Sequence, residues 1–156
     1  MKVKFIILLV IVVFVIGCGN SVNSVKDGTL QGREQTTVGN AFNAYFNDPT
    51  WEFGETENKT QFVEFKGKAK KLIPFDEKSV IIIAEGALVK IQFILKKDGS
   101  FEIGYAEAQF KFNPKLSKEE LQLVMLVSDL KSIKTDGTAT PIQAEEINIL
   151  LNSIYN

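Results

Sequence analysis

Val89-Lys90-Ile91-Gln92-Phe93-Ile94-Leu95-Lys96-Lys97-Asp98-Gly99-Ser100-Phe101-Glu102-Ile103-Gly104-Tyr105 decides the architecture. Val89, Ile91, Phe93 and Leu95 alternate with Lys90, Gln92, Ile94 and Lys96, the period of a strand with one face buried. Asp98-Gly99 signals a hairpin. A two-residue loop would pair Lys96 with Phe101 and Leu95 with Glu102, mixing the faces. A three-residue loop, Lys97-Asp98-Gly99, pairs Leu95 with Phe101, Phe93 with Ile103 and Ile91 with Tyr105. That register keeps apolar residues together and gives Gly99 the left-handed position. Beyond Tyr105 the phase slips, and Ala106, Ala108, Phe110 and Phe112 alternate instead. A bulge between Gly104 and Glu107 accounts for the slip.

Upstream, Trp51-Glu52-Phe53 and Val63-Glu64-Phe65 also alternate. Setting Phe53 against Val63 sets Trp51 against Phe65 and leaves the loop Glu57-Asn58-Lys59. It also sets Glu52 opposite Glu64, which is unfavourable unless Lys66 intervenes diagonally. Val80-Ile81-Ile82-Ile83 is a further β-branched run, and Gly86 breaks it from the strand that follows. Thr36-Thr37 opens a helix whose apolar face is Val38, Ala41, Phe42, Tyr45 and Phe46. Asn47-Asp48-Pro49 is expected to end it.

Two capping boxes announce C-terminal helices. Ser117-Lys118-Glu119-Glu120 precedes a wide apolar arc, Leu121 to Leu130, expected to be buried on more than one side. Thr140-Pro141-Ile142-Gln143 precedes the stripe Ile147, Leu150, Leu151 and Ile154, with proline at the first helical position. The expected fold is α+β: an antiparallel meander of four to five strands, with one N-terminal and two C-terminal helices packed on one face. Residues 36–156 would form it as a single domain.

The chain has 156 residues, 45% apolar and 24% charged, which excludes a disordered or collagen-like polymer. Eighteen basic and 19 acidic residues give a net charge of −1, so nothing marks a nucleic-acid binder. There is no histidine and one cysteine, Cys18. Catalytic triads with histidine, Cys/His dyads and histidine metal sites are thereby excluded from this chain.

Met1-Lys2-Val3-Lys4 is a short basic segment, and Phe5 to Ile16 is an unbroken apolar run of twelve residues. That is too short for a bilayer span of about 20 residues but suits the apolar region of a secretory signal peptide. Val15-Ile16-Gly17-Cys18 resembles the lipobox of bacterial lipoproteins, with Ile16 where a small residue is more usual. The resemblance covers residues 1–18. It implies cleavage between Gly17 and Cys18, a diacylglyceryl group on the Cys18 thiol, and an acylated N-terminus there. The alternative is that Cys18 is an ordinary small residue ending an uncleaved anchor helix. An intrachain disulfide is excluded, since no second cysteine exists. Losing Lys2 and Lys4 would leave 16 basic and 19 acidic residues, net −3. Residues 18–35, rich in Gly, Asn and Ser, then read as a flexible tether, with Val25 to Leu30 able to add a short edge strand.

A second resemblance covers roughly residues 25–105. Val25-Lys-Asp-Gly-Thr-Leu30, Thr37-Val-Gly-Asn-Ala-Phe42, Phe46-Asn-Asp-Pro-Thr-Trp-Glu52, Val63-Glu-Phe-Lys-Gly67, Ile91-Gln-Phe93 and Asp98-Gly99 resemble a small uncharacterised domain of bacterial envelope proteins. No reaction attaches to that domain, so it implies no site residues.

Without histidine, chemistry would fall to carboxylate pairs, Ser/Lys dyads or tyrosine. Glu52, Glu55, Glu57 and Glu64 cluster near the first hairpin but read as a solvated acidic loop rather than an acid/base pair. Ser79 has lysines nearby, and Ser128-Asp129-Leu130-Lys131 has dyad spacing; the latter reads as a helix-end polar patch. Asn58-Lys59-Thr60 is a sequon without meaning after bacterial export. Lys66, Lys68, Lys70 and Lys71 form a stripe that either docks anionic headgroups or discourages edge pairing. The phenylalanines beyond the leader read as core rather than as a ligand cage. No phosphate loop, dinucleotide fingerprint or EF-hand loop is present.

The expectation is therefore a lipid-anchored, non-enzymatic interaction module of the bacterial cell envelope. It would have no catalytic residues, cofactor or metal, would meet the membrane through acylated Cys18, and would bind another envelope protein and no nucleic acid. A membrane-tethered inhibitor or exclusion factor against an incoming enzyme or phage component is the alternative. Gly19 is not the Asp that retains lipoproteins of enteric bacteria at the inner membrane, which favours the outer membrane in a Gram-negative cell.

Overall fold

The computed structural model describes residues 18–74, 80–127 and 135–156. In chain order the elements are α1 (Cys18–Asp27), α2 (Val38–Tyr45), β1 (Phe46–Glu55), β2 (Gln61–Ala69), β3 (Ile73–Pro74) and β4 (Ile81–Ile83). They continue with β5 (Leu88–Leu95), β6 (Phe101–Gln109), β7 (Lys111–Phe112), α3 (Lys118–Val127), β8 (Ala139–Pro141) and α4 (Ala144–Tyr155). A five-stranded antiparallel sheet runs in the order β1-β2-β5-β6-β8, beside a small sheet β3-β4-β7. The fold is α+β.

Both hairpins form in the expected register. Leu95 pairs with Phe101 and Phe93 with Ile103, and Gly99 adopts a φ of 85°. Phe53 pairs with Val63 and Trp51 with Phe65. The bulge falls at Gly104, opposite Gln92 and Phe93, so Ile91 pairs with Ala106 and not with Tyr105. The same bulge brings Ala106, Ala108 and Phe110 into the core. Gly86, at φ 78°, separates β4 from β5, but β4 joins the small sheet instead of the meander.

The core lies on one face of the large sheet. Val63, Phe65, Val89, Ile91 and Phe93 point into it, against Val38, Phe42 and Tyr45 of α2 and Leu150, Leu151 and Ile154 of α4. Phe42 sits at the centre, with ring centroids 4.9 Å from Phe65, 5.8 Å from Phe93 and 5.9 Å from both Phe46 and Trp51. Edge-to-face geometry of this kind adds to the burial itself.

Four expectations are corrected. Residues 18–35 are not a tether throughout: α1 packs on α2, and Val25 and Leu30 are buried. Composition concealed the helical spacing of Val22 and Val25, and Leu30 makes only an isolated bridge to Arg33. Asn47-Asp48-Pro49 does not end α2. Phe46 already begins β1, and the Asn47–Thr50 segment is a bulge with Asp48 at φ 50°. Thr140-Pro141 does not cap α4. Ala139–Pro141 pairs with Gln109–Glu107 as β8, and the cap moves to Gln143, whose N–H donates to Glu146 Oε2 at 2.9 Å. The open edge of β6 outweighs proline's preference for a helix start. Finally, the α3 box forms, Ser117 N to Glu120 Oε2 at 2.8 Å and Glu120 N to Ser117 Oγ at 3.1 Å. Leu123 behind it is nevertheless 64% exposed, so that part of the arc is not buried. Residues 124–127 of the arc continue α3, and 128–130 lie outside the described residues.

Candidate functional site

On the sheet face turned away from the core, cross-strand partners line up in rungs. Gly54, Phe62, Ile94 and Glu102 form one; Glu52, Glu64, Gln92 and Tyr105 the next; Thr50, Lys66, Lys90 and Glu107 the third. Phe62, Ile94 and Tyr105 are half-buried and take no part in the core. A methyl group at Gly54 would collide with the Phe62 ring, and one at Gly104 with Ile94. The two glycines thus let the two large side chains lie flat on the sheet.

The charged rungs neutralise each other. Lys66 Nζ lies 2.7 Å from Glu64 Oε1 and 3.8 Å from Glu52 Oε2. This is the diagonal cation that the Glu52–Glu64 register requires. Gln92 Nε2 donates to Glu64 Oε2 at 2.6 Å. Lys90 Nζ lies 2.7 Å from Glu107 Oε1 and 5.6 Å from the Tyr105 ring centre. Tyr105 OH donates to Glu107 Oε2 at 2.5 Å.

Burial pulls the Glu64 carboxyl upward, but hydrogen bonds from Lys66 and Gln92 outweigh it and hold the group below its usual range. At Glu107 burial is likewise outweighed by the bonds from Lys90 and Tyr105. The bond to Glu107 pushes the Tyr105 hydroxyl up to about 12. Both carboxylates are thus ionised and the tyrosine is neutral at physiological pH. A general acid or base needs a pKa near the operating pH, and these groups are displaced away from it.

The sequence candidates scatter. Glu55 is held low by Lys59, at 3.1 Å, and by Gln61. Glu57 is exposed in the loop that also carries Asn58. The lysine stripe disperses. Lys66 serves the carboxylates, and Lys68 meets Asp48 Oδ2 at 3.0 Å. Lys70 Nζ donates to the α2 carbonyls of Ala44 at 2.7 Å and Asn43 at 3.3 Å. Lys71 lies 4.9 Å from the Tyr45 ring centre. The lysines therefore form no common patch. Ser79, Ser128 and Lys131 lie outside the described residues, as does Gly17. Cys18 is the first residue of α1. Sequence reasoning missed Gln92, Lys90, Tyr105 and Glu107. Lys90, Tyr105 and Glu107 meet within the β5–β6 hairpin once the bulge at Gly104 shifts the register, and Gln92 reaches Glu64 through the β2–β5 pairing, which no local motif encodes.

Two open grooves of about 570 Å³ each flank α4, one bounded by Tyr45, Leu72 and Ser153, the other by Arg33, Phe101 and Leu151. Among the described residues no group of three or more Cys, Asp or Glu could hold a metal ion. No described helix is long and apolar enough to cross a membrane. No family model, curated protein or solved structure matches the chain.

Proposed function

We propose that this chain is a lipid-anchored module of the bacterial cell envelope that binds another envelope protein through the uncovered sheet face and catalyses no reaction. The observation that carries the reading is that face itself. It presents Phe62, Ile94 and Tyr105 beside charges that are already paired, on a rigid sheet. Aromatic anchors amid satisfied polar groups are how binding surfaces are built, and Glu64 and Glu107 are held below the range that acid/base work near neutral pH would use. The anchor half of the reading rests on the basic segment, the apolar run and Val15-Ile16-Gly17-Cys18.

Two measurements test it. In cells fed a radiolabelled fatty acid, the chain should take up label and run as the cleaved species, and Cys18→Ser should do neither. A Cys18→Ser protein still cleaved and labelled would sink the anchor. A photo-crosslinker at Gln92 should give a discrete adduct that one at exposed Ser100 does not. Indistinguishable adducts at the two sites would rule out the face.

A further inference from the structure

Acylation at Cys18, on which this inference rests, would attach a lipid to a helix that is already packed. Val22 lies against the core and Val25 is fully buried in it, so only residues 19–21 separate the acylated residue from the folded body. Four helical residues span about 6 Å, and even fully extended they reach about 13 Å. A flexible tether through residue 35 would instead have an r.m.s. span of about 23 Å.

The direction is also set. α1 lies against β1 and β2, and Gly28, just past its end, abuts the Phe101 ring at the start of β6. Together these contacts run the helix inward across the strands from β1, which would put Cys18 on the β1 side. Along that margin Asp48 pairs with Lys68 at 3.0 Å and Glu55 with Lys59 at 3.1 Å, Glu52 lies 3.8 Å from Lys66, and Glu57 is exposed in the adjoining loop. Asp48, Glu52, Glu55 and Glu57 against Lys59, Lys66 and Lys68 leave the margin slightly acidic, so it is the short link to Cys18 and not charge that would hold it at the lipid headgroups. We infer that the β1 margin of the sheet docks on the lipid surface, so that the domain rides on the bilayer rather than above it. Its protein partner must then be met at the membrane surface.

The experiment uses the mature acylated protein in vesicles of phosphatidylethanolamine and phosphatidylglycerol carrying a headgroup nitroxide quencher. Acylation blocks the Cys18 thiol, so a fluorophore enters only at Thr50→Cys, in β1, or at Thr138→Cys, before β8 at the opposite margin. Quenching at position 50 should exceed that at 138 by about threefold, and a Gly/Ser spacer of about 20 residues after Gly19 should abolish the difference. Equal quenching at both positions in the vesicle-bound protein, with or without the spacer, overturns the docking and leaves the anchor standing. Absence of acyl label at Cys18, with the protein free in the aqueous phase, overturns both.

Discussion

Gly39 shows how much one hydrogen atom can decide. A methyl group there would lie 2.8 Å from the Lys26 carbonyl oxygen, and that oxygen belongs to a packed helix that cannot swing aside. Alanine gains about 1 kcal/mol in helix propensity, whereas overpacking costs about 1–3 kcal/mol. Gly39→Ala is therefore expected to destabilise the fold by up to about 2 kcal/mol in denaturant melts, while Asn40→Ala next to it stays within about 0.5 kcal/mol. A Gly39→Ala protein as stable as the parent would mean the two helices are not in contact there. Nothing adjacent in the chain announces this constraint, because Lys26 and Gly39 meet only in the fold. Glu52, Lys66 and Glu64 were legible for the opposite reason. They sit on one hairpin, where alternation alone sets the pairing.

Among the elements, the hairpins were readable and α1 was not. A hairpin carries its own signals, alternation plus a turn residue such as Gly99. In the helix at 18–27, Val25 is fully buried amid Gly, Asn and Ser, and the helix draws its stability from what it packs on. The same limit applies to β8, whose three residues hold a strand only because β6 offers an edge. The outer-face site was legible where it lies on β1 and β2; on β5 and β6 the bulge at Gly104 moves Tyr105 opposite Gln92 and Glu107 opposite Lys90, and the link to Glu64 waits on the β2–β5 register. A mature chain begun at Thr36 loses Val25 and Leu30 from the core, each worth about 1.5–3 kcal/mol. It should be less stable by about 3–6 kcal/mol and melt about 10–20 °C lower. A melting point within about 2 °C of the longer chain would show that α1 adds nothing.

For the molecule as a whole, the ionisable groups frame a plateau of stability in pH. Glu64 and Glu107 are depressed below their ordinary value of 4.5, so the stability they contribute is present above that value and lost as pH falls below it. Tyr105 and Tyr155 are raised from 10.0 to about 12, the latter chiefly by burial. Their contribution is present below pH 10 and lost between 10 and about 12. Thermal melts across pH should show both limbs. Glu64→Gln with Glu107→Gln should flatten the acid one, and an unchanged acid limb would mean the outer-face pairs are thermodynamically silent. The margins of the large sheet carry a different consequence. β1 is broken by a bulge at Pro49, and β8 is three residues long and ends in Pro141. Proline offers no N–H, and a bent or very short edge makes a poor template for a new strand. Proteins gathered on a membrane collide far more often than in solution, and open sheets under such crowding are prone to grow into fibrils. With both margins interrupted, this sheet offers other copies little to pair with, which would matter most at the crowding that the proposed anchor would impose.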